Sequence, residues 1–591
     1  MKRSYLLYVL TFVAAGVGLI FQLLIAQTLT LLDGNSVLKY SFIIGIYLLA
    51  AGIGAIFPTR KTRNPQGNFL LKIELLISFF GLLVIPLLYF SYIIKYYFFL
   101  YPGNINFFSG PFFISVGILL AFIIGLFKGI EFTALVNLSK EHEPSSFSTI
   151  LSFDYFGALL AAMLFPLILI PNFSLFQICF LIAVINLIFV YFFICLLFRT
   201  SGGLYLYFGG FLLLILAIFL FKAGSFEQFF LKKIYYPPYQ ISFSTIFSLP
   251  TDFPEVKRYL SPYQVIDVVD TKIKKDGLTP IEIYNQDLPV FVQYSNKLKI
   301  YPNFPWNYAL HLNGSFQSFS GTEELASEYL VHVPIIANQV PRRVLIIGGG
   351  NGNTTREVLK YPQIEEIIQV ELDPVMIKLA QEDEIFTKIN NNAMNNKRLK
   401  IVIDDGFNYI KKNRTKFDAI FIDIPAPNNY DLSRLYSREF FGLIRNRLNP
   451  EGYVSFIATD IFNSWDKYYN TLTVAGFQTV IPYFSSLEVD NPKALSVLDY
   501  LLSDIIAQGY QIESKNFLSD FLRNKFSNAF IFIKTEPYLL NQSYQNNNVF
   551  FSVLNERRYY LAFDYNYIGF NLEKIIDPKK VNSIMRPTLY K

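Results

Sequence analysis

Cysteine and tryptophan each occur twice in 591 residues, and histidine three times. Cys179 and Cys195 lie in one apolar run, which leaves neither a disulfide framework nor a cysteine-rich zinc site. His142, His311 and His332 have no metal-ligand spacing and no nearby cysteine to complete a set, so a metal-free chemistry is expected. Charge is scarce too: Asp, Glu, Lys and Arg make up 16% of the chain. The net charge of +6 is small for this length and forms no basic stripe, which argues against nucleic acid as a partner.

What the chain has in abundance is apolar and aromatic residues, 52% and 17% respectively, and they are distributed unevenly. Residues 5 to 221 are long apolar runs with few charges, whereas residues 222 to 591 have a globular mixture. A helix needs about 20 apolar residues to cross a hydrocarbon layer about 30 Å thick. Seven stretches qualify, at roughly 5–25, 40–57, 69–91, 111–137, 150–170, 175–198 and 204–221. The first follows Lys2 and Arg3 but is too long for a cleaved signal and is followed by further spans. A multi-pass protein of the cell membrane is expected, with the lipid bilayer as its first partner. Inside these runs Lys128 and Glu131 stand three apart on one helical face, and Asp154 lies in the fifth run. Such groups either pair to fix helix packing or line a path for a substrate or ion.

The remainder reads as two further domains, giving boundaries of 1–222, 223–334 and 335–591. Short strands and turns, including LHLNGSFQSF at 310–319, predict a small β domain. From Arg343 the pattern is strand, glycine-rich turn, helix, strand: VLIIGGGNGNTTREVLK and then IEEIIQVELDP. Further apolar strands at 399–403, 417–422 and 453–457 extend the same sheet. The fold class is therefore an N-terminal all-α polytopic membrane domain, then a small β domain, then an α/β Rossmann-like parallel sheet. The turn that runs from Gly348 through Gly350 and Asn351 to Gly352 lets a ligand approach the backbone at a strand's carboxyl end. Glu371 ends the next strand, where a carboxylate can accept both hydroxyls of a ribose, and Asp405 ends the third, placed to accept from an adenine amino group. The turn does not spell G-x-G-x-x-G, so a class I methyltransferase-like nucleoside site fits better than a dinucleotide site. The blander readings are a structural glycine turn, with Asn351 as a left-handed turn residue, and a packed core position for His332.

The phrases LNGSFQSFSGTEELASEYLVHVP, VLIIGGGNGNTTREVLKYP, VELDP, DDGFNYI and FDAIFIDIPAPNNYDLSRLYSREFF resemble, in order and spacing, the spermidine synthase family, in particular its membrane-fused bacterial branch. The opening spans and the terminal VNSIMRPTLYK are similar to that branch as well. The resemblance implies an aminopropyltransferase that holds decarboxylated S-adenosylmethionine and an amine acceptor without a metal. It implies nucleoside contacts at Gln317, Glu371 and Asp405 and a general base at Asp423; the alternative for Asp423 is a cap on the segment that follows. It also implies association of two copies through the small β domain.

Three motifs depart from the family pattern, at four residues. The glycine turn normally reads GGGDG and here carries Asn351; the second aspartate of the Asp-Leu-Pro-Asp-Pro loop is Ala426; and Tyr-His-Glu is replaced by Ala326, Ser327 and Glu328. The amine side is eroded while the nucleoside side is intact. A neutral Asn351 would also tolerate the carboxylate of ordinary S-adenosylmethionine, which an aspartate would repel. Glu323 and Glu328 lie five apart, so at least one is expected to be solvated. After Tyr483 a long helical insertion is expected through about 527. Three functions follow: a membrane-tethered transferase, a catalytically weak nucleoside-binding regulator, or a transporter with a sensor domain. The basic connection Arg60, Lys61, Arg63 and Lys72 places the N-terminus in the cytoplasm. Seven spans would then put the soluble domain opposite its cytosolic cosubstrate, so a miscounted or re-entrant segment is expected within 69–101 or 111–137.

Overall fold

The fold is given by a computed structural model. It describes residues 3–33, 36–57, 66–100, 111–140, 146–198, 203–236, 253–270, 308–319, 323–427, 430–485 and 529–538, and near the C-terminus 544, 549–550, 554, 556–563, 572 and 577–589. Arg60, Lys61 and Arg63 of the basic connection lie outside these residues, whereas Lys72 is inside; of the insertion expected after Tyr483, only residues 484 and 485 are described. The chain forms two compact units: residues 1–287 with 312–315, and residues 288–311 with 316–591.

The first unit is a helical bundle of α1 (Arg3–Asp33), α2 (Ser36–Ile56), α3 (Gln66–Leu100), α4 (Pro111–Lys140), α5 (Ser146–Leu164), α6 (Leu175–Phe198), α7 (Gly203–Phe221) and α8 (Ala223–Tyr235). Among the described residues six helices are long and apolar enough to cross a membrane. The seventh expected segment, α7, is one limb of a pair bent by 62° with α8, and the count reaches seven if that pair is one span. The re-entrant break expected within 69–101 is absent, because α3 is a single helix of 35 residues with Pro86 inside it; α4, covering the other suspect run, is likewise one helix of 30 residues. The irregular segment is instead Phe165–Leu169, a π-helical turn that follows α5 and contains Pro166.

Lys128 and Glu131 pair at 2.6 Å on α4, and Lys128 Nζ also donates to the Ala14 carbonyl at 2.9 Å. The same cluster continues through Glu74, which lies against Glu131 and accepts from Asn186 at 2.9 Å; Asn186 also donates to Ser78 at 3.1 Å. Polar groups in this bundle thus partner one another, as the cost of isolated charge in an apolar setting requires.

Four short strands, β1 (Lys257–Leu260), β2 (Val265–Asp270), β3 (Tyr308–Leu312) and β4 (Ser315–Phe319), make one sheet in chain order. Asn313 and Gly314 both have positive φ, at 50° and 73°, the conformation a two-residue hairpin turn demands.

The large sheet comprises β5 (Arg343–Gly348), β6 (Glu366–Glu371), β7 (Leu399–Ile403), β8 (Phe417–Asp423), β9 (Leu448–Ile457), β10 (Thr479–Phe484) and β11 (Ala529–Lys534). Its order is β10-β11-β9-β8-β5-β6-β7, with β11 antiparallel to both its neighbours and β5 to β9 parallel. The last strand in sequence is therefore inserted between the fifth and sixth, the class I methyltransferase-like arrangement. Strands β5, β6 and β8 are nearly continuous apolar runs because both faces are covered. One face packs Leu345, Ile347 and Ile420 against Phe440, Phe441 and Trp465; the other packs Val344, Ile346 and Phe421 against Tyr329, Val358 and Tyr361. Strand order reverses between β5 and β8, so their carboxyl ends open a crevice, the usual ligand position in such sheets.

Candidate nucleoside and amine site

The turn after β5 is held from two sides. Gly349 donates its N–H to the Asp423 carbonyl at 2.8 Å, and Gln369 Nε2 donates to the carbonyls of Gly348 and Gly349 at 2.9 and 2.7 Å. Gln369 is in turn fixed by accepting from Thr355 at 2.7 Å. Two glycines are required for different reasons. Gly348 has φ of 83°, and a Cβ there would lie 2.1 Å from the Asp423 carbonyl oxygen. At Gly350 the obstacle is Glu371, whose Oε2 would stand 2.8 Å from the added carbon.

Asn351 is not left-handed. Among the described residues the positive φ angles in this turn belong to Gly348, Gly349 and Gly352, and Asn351 is absent from that set. Its side chain closes the turn instead: Oδ1 accepts the Asn353 N–H at 3.1 Å, and its carbonyl accepts from Asn390 at 3.1 Å. An aspartate could accept the same bond, so the turn geometry does not itself demand an amide.

Glu371 ends β6 and accepts the Asp373 N–H at 3.1 Å. Burial pushes its carboxyl up to about 7, against the lowering effect of that backbone bond. Asp373 caps helix α11 (Pro374–Glu382) by accepting from Val375, with Pro374 in the first helical position. Asp405, just beyond β7, accepts the Asn408 N–H at 3.0 Å as the N-cap of α12 (Gly406–Lys412) and pairs with Arg434. The loop it occupies abuts the end of β5, since a Cβ at Gly406 would meet Ile347 at 2.7 Å.

Asp423 ends β8 in register with Gly348 and is partly buried. Its Oδ2 accepts from the Thr354 hydroxyl at 2.6 Å. Thr354 belongs to helix α10 (Asn353–Leu359), which opens directly from the turn. The structure therefore brings Gly348, Gly350, Asn351, Glu371 and Asp423 to one crevice, with Asp405 at the adjoining strand end. Gln317 is elsewhere in the architecture, partly buried on β4 of the small sheet.

Other expectations fare variously. His332 is a packed core residue, fully buried, bonded to Tyr361 at 2.8 Å and to Glu357 at 2.7 Å. Burial works against the Glu357 charge, yet His332, Arg356 and Lys360 together hold its carboxyl well below the usual range. Glu328 is not solvated; it is buried and accepts the Leu554 N–H at 2.8 Å, so it serves packing on α9 (Glu323–Ala337). Sequence reasoning passed over Gln369, Thr354 and Arg434. Gln369 carried a signal, a lone amide amid the apolar residues of IIQV; Thr354 and Arg434 carried none, because their partners are distant in sequence.

Residues 323–486 match the family described as the spermine/spermidine synthase domain. The chain is 26% identical over 480 residues to a polyamine aminopropyltransferase of Leptospira interrogans, covering 80% of this chain and 84% of that one. Residues 323–486 thus form a spermine/spermidine synthase-like domain, and the chain is similar over most of its length to a polyamine aminopropyltransferase. A second relative, polyamine aminopropyltransferase 1 of Streptomyces coelicolor, is 27% identical over 483 residues, 80% of each chain. These alignments are longer than everything from residue 223 onward, so similarity to both relatives reaches into the apolar half. Among solved structures, spermidine synthase from Thermotoga maritima is similar at 20% identity and a TM-score of 0.36, over 54% of this chain and 88% of that one. The curated relatives are named as transferases, and among the described residues no group of three or more His, Cys, Asp or Glu side chains could hold a metal ion.

Proposed function

We propose that the soluble half is a metal-free transferase of the aminopropyltransferase type, carried by a membrane-embedded helical half, with its acceptor preference altered. The observation that supports this most is the meeting of the glycine turn, Glu371 and Asp423 at the strand-order reversal, in a chain related over most of its length to polyamine aminopropyltransferases. Decarboxylated S-adenosylmethionine or S-adenosylmethionine is the cosubstrate, with Glu371 accepting from the ribose, Asp405 and Gln317 contacting the nucleoside, and the turn packing against it. An unprotonated amine attacks the methylene carbon beside the sulfonium. The C–N bond forms as the C–S bond breaks, the electron pair stays on sulfur as a neutral thioether, and the proton of the new ammonium passes to Asp423. The sulfonium is already a good leaving group, so alignment and proton removal are what the protein supplies.

Asn351 and Ala426 leave the acceptor's cationic tail with two fewer carboxylates than the family pattern. Each charge-assisted bond is worth about 1.5–3 kcal/mol, roughly 10- to 150-fold in binding. Putrescine is therefore a poor acceptor, and a less cationic nucleophile a better one. The soluble half faces the cytosol, where the cosubstrate is made.

Full-length protein in detergent, supplied with either cosubstrate and a panel of amines, tests this. Release of the nucleoside thioether with an alkylated acceptor supports it. Nucleoside binding without turnover on any amine would point to a regulatory protein instead.

A further inference from the structure

Asp423 is tied to the glycine turn twice, through its carbonyl by Gly349 and through its carboxylate by Thr354. The second tie has no backbone purpose. Thr354 is the second residue of α10, where no preceding turn of its own helix offers the carbonyl that a mid-helix hydroxyl would bond. Here it reaches a residue 69 positions away on β8, from a side chain that is fully buried. At 2.6 Å the contact is in the range of a hydroxyl donating to an ionised oxygen. A hydroxyl has one proton, and spending it on Oδ2 fixes the plane of the carboxylate and hence the direction of Oδ1.

We propose that Thr354 is a positioning residue for Asp423, holding that carboxylate ionised and in one orientation at the crevice. The proposal rests on the reading of Asp423 as proton acceptor. Two further titratable groups bear on Asp423: Glu371 at the end of β6, and Tyr436 on the short turn Arg434–Tyr436 after β8. A second carboxylate nearby disfavours charge on Asp423, and the Thr354 hydroxyl is the donor that opposes it.

The test uses the full-length chain and the variants T354V, which keeps the shape and removes the hydroxyl, and T354S, which keeps the hydroxyl. The carboxyl infrared band of Asp423, isolated by subtracting D423N, is titrated in each. T354V is expected to titrate about one pH unit higher than wild type, with T354S restoring the wild-type value. Where transfer is measured, the acid limb of kcat/KM moves by the same amount while nucleoside affinity stays constant. If T354V does not fold, T354A reads the same shift. Coincident titrations of wild type and the hydroxyl-less variant would overturn the proposal. A wild type with no transfer activity would remove the reaction assigned to the site while leaving this titration readable, so the two failures are distinguishable.

Discussion

The side of the crevice proposed for the nucleoside and the side proposed for the amine are built differently. On the nucleoside side the polar groups are interlocked: Gln369 holds the turn, Glu371 is anchored by Asp373, and Asp405 is at once a helix cap and the partner of Arg434. On the amine side, Asp423 keeps its place, but Asn351 has become a turn-closing amide and Ala426 offers no charge. Under the proposed function, the crevice keeps its nucleoside contacts and offers less negative charge to a dication.

The comparison breaks most severely at Asp423. D423N should lower transfer by about 10²–10⁴-fold, the ordinary contribution of a positioned base, with nucleoside affinity nearly unchanged in calorimetry. A parallel loss of nucleoside binding would show that the two sides are not separable. Restoring the turn carboxylate with N351D comes next. It should tighten a diamine by roughly 10- to 150-fold, and weaken S-adenosylmethionine relative to its decarboxylated form. Equal effects on both cosubstrates would remove charge as the reason.

The smallest effect is in pH. Because Glu371 is raised to about 7 in the folded protein, its ionised form grows between pH 6 and 8, and ribose hydroxyls donate best to that form. Nucleoside affinity should rise by up to about tenfold over that interval, and E371Q should flatten the curve. The sign for stability is opposite. With the folded value above the unfolded one, folding takes up a proton between about pH 4.5 and 7, so the melting temperature should fall as pH rises through that window and E371Q should abolish the fall.

Much of this was legible in sequence, for physical reasons. A strand buried on both faces must be apolar throughout, so β5, β6 and β8 announced a parallel sheet, and the residues ending them marked the crevice. Apolar length showed the helical half but not its bends, since the 62° break at Lys222 has only Gly224 beside it, and a single glycine does not by itself mark a break. The left-handed alternative for Asn351 stayed open in sequence because asparagine suits both a left-handed turn and a side-chain-closed one, and only φ separates them. Thr354 and Arg434 were invisible because their meaning lies in partners 69 and 29 residues away.

The most direct measurement is calorimetry of the full-length protein with decarboxylated and ordinary S-adenosylmethionine side by side, repeated with E371Q. The account predicts that both bind, with affinities within about tenfold of each other, and that E371Q weakens both. Binding of neither would contradict it, leaving the crevice a structural inheritance without a nucleoside to hold.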